Sequence, residues 1–331
     1  MKTQANLSAH RFLIIAGTSK AGTTSVFNYL AAHPQICPAE KETRFFLNTD
    51  YPLPSKKRYQ NTGPETYLSL FDSGPQENWR LEATPDYLYS ANTPHFMRQT
   101  LPNVRLIFIL REPISRLLSW YRFARKRSVI PSDMTFDDYV RVQQDGSSGR
   151  LAERRHPAFF ALEHGRYSIY LQPYLDLFGE SSVRISFYED LRRGALAFTL
   201  SICRWLDIDE TYFRDFRFDV VNKSSDVHSR FFHKAYLKST GRARHFLRDT
   251  PKLRLLLRRI RPGVHAIYEK MNVTEGKELT MSATTKEFLL SYYRDESTRL
   301  REMLGVEVPW LSNSETVFPG VQVNSSGDQE H

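Results

Sequence analysis

The chain has 331 residues, 40% of them hydrophobic, with 22 Phe and 17 Tyr, enough to bury a sizeable core and to exclude a disordered or low-complexity chain. Its net charge of +9 is confined: Arg230 to Arg261 holds eleven Lys/Arg against Asp249, a balance of +10, so everything else carries −1 (9 − 10). No run approaches the roughly 18 apolar residues of a membrane span, and FLIIAG at 12–17 falls short of a signal-peptide core of about 7–15 residues, so a soluble, cytoplasmic protein is expected. The two cysteines, Cys37 and Cys203, suit a reducing compartment and read as buried, inert thiols.

The first element is RFLIIAG (11–17), an apolar run of buried-strand character that Gly17 ends. Behind it, TTSVFNYLAAH places Val26, Tyr29, Leu30 and His33 on one helix face. That helix starts at the threonines and is closed by Pro34, which cannot extend the hydrogen-bond ladder. Residues 51–78, rich in Pro, Lys, Asn and Gly, read as a surface excursion. WRLEATPDYLY (79–89) reads as a short strand turning at Pro85, and VRLIFIL (104–110) as a second buried strand that stops at Arg111. Pro113 suits the first turn of a helix over 114–127, with Ile114, Leu117, Leu118 and Tyr121 on its apolar face. DGSSGR (145–150) reads as a loop, SVRISFY (182–188) as a third buried strand and ALAFTLSICRWL (195–206) as a helix. Strands alternating with helices predict an α/β fold, a mainly parallel sheet covered on both faces.

GTSKAGTT (17–24) falls between the first strand and the first helix. Gly17 and Gly22 keep the four-residue gap of a phosphate loop, and the free N–H groups of a helix start favour an anion. In an NTPase loop a lysine follows the second glycine; here Thr23 stands there, and the lysine is in mid-loop as Lys20. The strand 104–110 ends in Arg111, where an NTPase would use an Asp to hold magnesium, and the dinucleotide fingerprint G-x-G-x-x-G is absent. A basic residue at that strand end suits an anion, and no metal is expected.

GTSKAGTTSVFNYLAAHPQI resembles the 5′-phosphosulfate loop of the sulfotransferases that use 3′-phosphoadenosine 5′-phosphosulfate (PAPS). LIFILREPISRLLSWY (106–121) is similar to their 3′-phosphate-binding segment, and KETRFF (41–46) resembles an element of the carbohydrate and heparan-sulfate-like branch. Weaker echoes run to YYRDESTRLREMLGVEVPWL (292–311). The resemblance implies a single P-loop-like domain over 11–311, with 1–10 as an extension and 312–331 as a tail expected to lack structure. It implies that Lys20, Ala21, Gly22, Thr23, Thr24 and Ser25 hold the 5′-phosphosulfate, with Arg111 and Ser119 on the 3′-phosphate. Lys223 is a further candidate for that phosphate, from a stretch where related enzymes place a basic loop over the cofactor. It also implies that Glu42 is the general base for an acceptor hydroxyl on a saccharide or glycoconjugate. Several carbohydrate-type members carry a lysine where this chain has Ala83, which leaves Lys41 or Lys223 to supply a second cation.

The chemistry suits these residues. Sulfuryl transfer moves a neutral SO₃-like group in line, and charge builds on the oxygen bridging to the departing phosphate. A cation beside that bond, Lys20, stabilises the transition state, by roughly 3–4 kcal/mol if it matches other lost oxyanion partners. Each residue also has a bland reading. Glu42 between Lys41 and Arg44 could be a solvated ion pair worth about 0–1 kcal/mol. Ser119 could be a small residue on a packed helix face, Tyr188, a candidate for contact with the adenine, could be a buried aromatic, and His33 a helix end. Two rival functions remain at this point, an ATP-dependent kinase with an irregular P-loop and a non-catalytic nucleotide-binding protein. The segment 230–261 mixes leucines with arginines in KLRLLLRRIR (252–261), as surface-lying amphipathic helices do. It is expected to face an anionic membrane surface or a polyanionic acceptor. Nucleic acid is not expected, since no reading motif accompanies the charge.

Overall fold

In the computed structural model, which describes residues 7–55, 57–71, 78–144, 156–218, 226–227, 273–274, 279–311, 318 and 321–324, the first strand β1 spans Arg11–Gly17. Its residues from Phe12 to Ala16 are fully buried, as a continuous apolar run in a sheet covered on both faces requires. Helix α1 (Thr23–Ala31) follows, then strand β2 (Ile36–Pro38), helices α2 (Tyr59–Thr62) and α3 (Glu65–Leu68), and strand β3 (Trp79–Ala83). Next come α4 (Thr93–Thr100), β4 (Val104–Leu110), α5 (Pro113–Lys126), α6 (Phe136–Gln144), α7 (Tyr167–Phe178), β5 (Val183–Phe187), α8 (Tyr188–Arg193) and α9 (Ala195–Leu206). Two paired segments, β6 (Asp226–Val227) and β7 (Val273–Thr274), precede β8 (Leu279–Ser282), the long helix α10 (Ala283–Leu304) and β9 (Val321–Asn324).

The main sheet has five strands in the order β2-β3-β1-β4-β5, all parallel, with Leu13 opposite Leu81 on one side and Ile107 opposite Arg184 further out. β1 is central, and the chain leaves it for one flank through α1 and reaches the other flank at β4. The loop after β1 therefore lies at a topological switch point, where open α/β sheets bind ligands beyond the strands' carboxyl ends. Alternate residues feed two cores. Phe12, Ile14, Phe108 and Tyr174 pack on one face, and Leu13, Ile15, Ile107 and Ile202 on the other. A third apolar cluster joins α5, α6 and α10 through Leu117, Tyr139 and Leu289.

The strand runs and the helix at the threonines lie where the sequence places them, and Ile114, Leu117, Leu118 and Tyr121 are all buried. The short strand ends at Ala83 and the chain turns at Pro85, as a 3₁₀ turn over Pro85–Tyr89. Two details differ. The excursion 51–78 is not wholly superficial, because Tyr67 is fully buried and donates to Glu82 Oε2 at 2.8 Å. Within the tail expected to lack structure, Val321–Asn324 pairs in parallel with β8, next to Phe318, which is buried in the third cluster. Both cysteines are buried, and burial pushes the Cys203 thiol up to about 12. Among the described residues, no helix is long and apolar enough to cross a membrane. Lys223, the segment 230–261 and the loop 145–150 lie outside the described residues.

Candidate active site

The loop after β1 is shaped by two left-handed residues. Gly22 has φ +79° immediately before α1, and a Cβ there would stand 2.8 Å from Leu191 Cδ2 and 3.0 Å from Tyr188, so only glycine fits. Lys20 has φ +74°, a conformation that costs a residue with a side chain about 1–2 kcal/mol and that clusters at functional sites. Ala21 is fully buried, with Thr23 and Ser25 nearly so, while Thr24 and Lys20 stay partly open.

Helices α1 and α5 start differently. At α5, Glu112 caps the helix through its own carboxylate, accepting from Ile114 N at 2.9 Å and Ser115 N at 2.5 Å. At α1, no side chain caps the first turn, and no acidic residue lies in it. The positive end of its dipole faces the loop, where Ser25 N and Val26 N already close on Gly22 O, an arrangement suited to an anion.

Cations surround this point. The Lys20 ammonium stands 4.3 Å from the centre of the Phe123 ring and 5.9 Å from that of Trp120, both on α5. Burial pushes it down to about 8, with further contributions from Arg111, Arg127, Lys126 and Lys41. Arg111 Nη1 donates to Lys20 O at 3.0 Å, and its guanidinium lies 4.6 Å from the centre of the Tyr188 ring. Tyr167 OH donates to Arg111 O at 2.7 Å, which fixes the strand end. Lys41 Nζ donates to Thr24 Oγ1 at 2.8 Å. Among the described residues, neither Lys20 nor Arg111 forms an ion pair with a carboxylate. Lys41 is answered by Glu42, and Arg111 by the nearby Glu112 and Glu189, but Lys20 has like charges around it, so an uncapped helix start among partly buried cations suits an anion.

Thr24, Lys20 and Arg111 are thus brought together. Ser119 is on α5, one helical turn before Phe123, and shares the face that carries the Lys20 contact. Glu42 is placed on the loop's other flank, half-buried, with Lys41 Nζ at 3.8 Å and Arg44 Nη2 at 3.4 Å. Its segment is anchored on β3: Thr43 Oγ1 donates to Glu82, Arg44 N to Thr84 Oγ1 at 3.1 Å and Phe46 N to Tyr87 OH at 3.2 Å. His33 only supports the fold, bridging the Asp209 carbonyl and the Gln35 N–H.

Sequence reasoning missed three residues here: Trp120, Phe123 and Asp86. Tyr188, a candidate for the adenine with a buried aromatic as its bland reading, packs between Gly22 and Arg111. The sequence reading of the helix over 114–127 does not single out Trp120 and Phe123. Asp86 is nearly buried, accepts from Tyr51 OH at 3.1 Å and from Ser19 Oγ at 3.4 Å, and is pushed up to about 6 by burial and then by Glu42. An acid three residues beyond the end of a strand was the available signal for it. Among the described residues, no group of three or more His, Cys, Asp or Glu is placed to hold a metal ion.

A model of the sulfotransferase domain matches residues 11–244. The chain belongs to the sulfotransferase family. It is 33% identical over 139 residues to the membrane-associated sulfotransferase kil1 of Dictyostelium discoideum, a match covering 40% of this chain and 28% of that protein. With the bifunctional heparan sulfate N-deacetylase/N-sulfotransferase 1 of Caenorhabditis briggsae it shares 24% identity over 210 residues, 60% of this chain and 23% of the relative. The chain thus spans about a quarter of the length of these curated relatives. The crystal structure of a sulfotransferase from Alicyclobacillus acidocaldarius superposes with a TM-score of 0.62 at 18% identity, covering 92% of this chain and 99% of that one. The sulfotransferase fold, with its parallel sheet flanked by helices, is therefore the one expected from the sequence.

Proposed function

We propose that this sulfotransferase-family chain is a PAPS-dependent enzyme that transfers a sulfuryl group to an acceptor hydroxyl on a saccharide or glycoconjugate. The observation that carries the reading is the uncapped start of α1 ringed by Lys20, Lys41 and Arg111. When bound, PAPS supplies the sulfuryl group: its bond to the phosphate oxygen breaks, the electron pair stays on the departing phosphate, and sulfur bonds to the acceptor oxygen. The loop residues Ala21 to Ser25 orient the phosphates with backbone and hydroxyl donors. Lys20 stands by to neutralise the charge that builds on the leaving oxygen. Arg111, with donors beyond the one spent on Lys20 O, and Ser119 select the 3′-phosphate. Glu42 accepts the acceptor's proton, and its two cationic neighbours keep the carboxylate in place.

The acceptor class rests on the KETRFF element and on the heparan sulfate relatives, which are matched over 23% of their length. A cytoplasmic location and contact of residues 230–261 with an anionic membrane or glycan belong to the same reading. Neutralising those arginines should abolish binding to anionic liposomes or acidic glycans, and unchanged binding would remove that part.

Calorimetric titration with 3′,5′-adenosine bisphosphate (PAP), the desulfated product, tests the donor. Tight PAP binding that weakens in Arg111→Ala, with little binding of magnesium-ATP, supports the reading. Preference for magnesium-ATP would favour a kinase. Retained turnover in Lys20→Ala would point to a nucleotide-binding protein that does not use this loop for catalysis.

A further inference from the structure

The end of the sheet opposite the loop carries a second concentration of positive charge. Neighbouring strands each contribute an arginine near their amino ends: Arg80 from β3, Arg11 from β1, Arg105 from β4 and Arg184 from β5. Three of these interleave with two indoles. The Arg11 and Arg105 guanidiniums lie 5.8 Å and 5.2 Å from the centre of the Trp79 ring. Arg105 and Arg184 lie 5.1 Å and 5.9 Å from the centre of Trp205, on the last turn of α9. Beside this row, an open cleft is lined by Ala9, His10, Arg11, Asn78 and Arg80.

The row is held in place from behind. Trp79 Nε1 donates to Leu206 O at 3.1 Å, Arg105 Nη1 to Trp205 O and Arg184 Nη2 to Ser201 Oγ at 2.9 Å. A guanidinium has more N–H donors than the one each of these arginines spends here. Acids answer little of the charge. Asp207 favours the charged form of Arg105, against burial and Arg11, and Glu210 is engaged with Arg204 at 2.9 Å. Among the described residues, none of the four strand arginines forms an ion pair with a carboxylate.

The four strands are adjacent, so the row covers roughly 15 Å at about 4.8 Å per strand spacing. That is more than one phosphate or sulfate ion bridges, and it matches an extended polyanion. Each indole already has two guanidiniums beside it, and Trp79 is only 4% exposed. The rings thus serve the arginines rather than a stacking base, which single-stranded nucleic acid would need. β1 is seven residues long, which puts Arg11 about 20 Å from the loop at about 3.3 Å per residue. A ligand on this row is therefore separate from the donor site.

We propose, taking the class of partner from the saccharide reading above, that the arginine–tryptophan row is a docking surface for an acidic polysaccharide. Its sulfate and carboxylate groups pair with Arg11, Arg105 and Arg184, and Arg80 extends the surface into the cleft. A glycan held there stays at high effective concentration for transfer at the other end of the sheet.

Calorimetry with heparin on the full chain, with PAP in excess to fill the donor site, tests this. The unaltered chain should bind heparin, should bind oligo-dT more weakly, and should ignore uncharged dextran. The triple variant Arg11→Gln, Arg105→Gln, Arg184→Gln should weaken heparin by about tenfold and change PAP by less than about twofold. Unchanged heparin binding in that variant would overturn the proposal and give the glycan to another basic segment. Oligo-dT binding tighter than heparin would overturn the choice of polysaccharide. Should the triple variant lose PAP as well, Arg11→Glu decides, because Arg11 is exposed. It should weaken heparin by about threefold with PAP binding intact, and no effect would overturn the proposal. A chain that binds heparin through this row but no PAP would remove the donor reading and leave the docking surface standing.

Discussion

Two buried charged regions lie on either side of the strand end of β3, and they are built in opposite ways. The Glu82 carboxylate is fully buried and surrounded by its own chain. Thr43, Thr84 at 2.9 Å and Tyr87 at 2.7 Å donate to Oε1, and Tyr67 donates to Oε2 at 2.8 Å. Burial pushes this carboxyl up, and the four hydroxyls pull it part of the way back. Lys20 at the loop has no such internal answer: among the described residues it faces two aromatic rings and other cations. A buried charge satisfied by the protein holds the fold together, whereas one left among like charges is waiting for a ligand.

The largest effect should come from breaking the satisfied side. Glu82→Ala leaves several buried hydroxyls without an acceptor and opens a cavity, and should cost about 4 kcal/mol of stability. Denaturant unfolding measures it, and a loss below about 1 kcal/mol would mean the hydroxyls find other partners. Because this network anchors the segment carrying Glu42, the variant should also lose turnover.

Lys20→Ala should behave in the opposite sense. Release of PAP from PAPS, assayed over a panel of saccharide acceptors, should fall by about 10²–10³-fold, while the melting temperature holds or rises because a desolvated cation has gone. A marked drop in melting temperature would place Lys20 with the structural charges instead.

Arg111→Ala should weaken PAP by about 10- to 100-fold, the loss of a charge-assisted phosphate contact. Adenosine 5′-phosphate, without the 3′-phosphate, should be affected far less. Equal losses for both nucleotides would mean that Arg111 merely supports the loop through Lys20 O.

The smallest effect is a pH dependence. With Lys20 pushed down to about 8, the free protein carries its charge below that pH and loses it above. An anionic ligand favours the ammonium, so binding above pH 8 must take up a proton. PAP affinity should be level to about pH 7.5 and then weaken by up to about tenfold per pH unit. The decline should vanish in Lys20→Ala, and a decline that persists there would assign it to another cation.

Much of this was legible in the chain itself. Unbroken apolar runs such as FLIIAG and LIFIL can only be strands buried on both faces, and the glycine spacing with a threonine pair marks a loop entering a helix. These are local signals, because strand burial and helix starts are set by residues within a few positions of one another. The positions of Lys20 and Arg111 after strand ends followed from them, whereas the pairing of β1 with β4 that makes those ends neighbours did not. Tyr67 and Asp86 did not, since the partners that give them meaning, Glu82 and Ser19, are 15 and 67 residues away.

The sequence by itself determined the order of elements and the residue types able to meet a phosphate, through hydrophobic period, glycine placement and charge. The tertiary structure alone decided which charges are answered. Desolvation and hydrogen-bond satisfaction depend on what chain folding brings within a few ångströms, and no spacing rule encodes that. Lys20 and Glu82 illustrate it: both read simply as charged residues in the sequence, yet Glu82 is enclosed by hydroxyls and Lys20 faces aromatic rings and like charges.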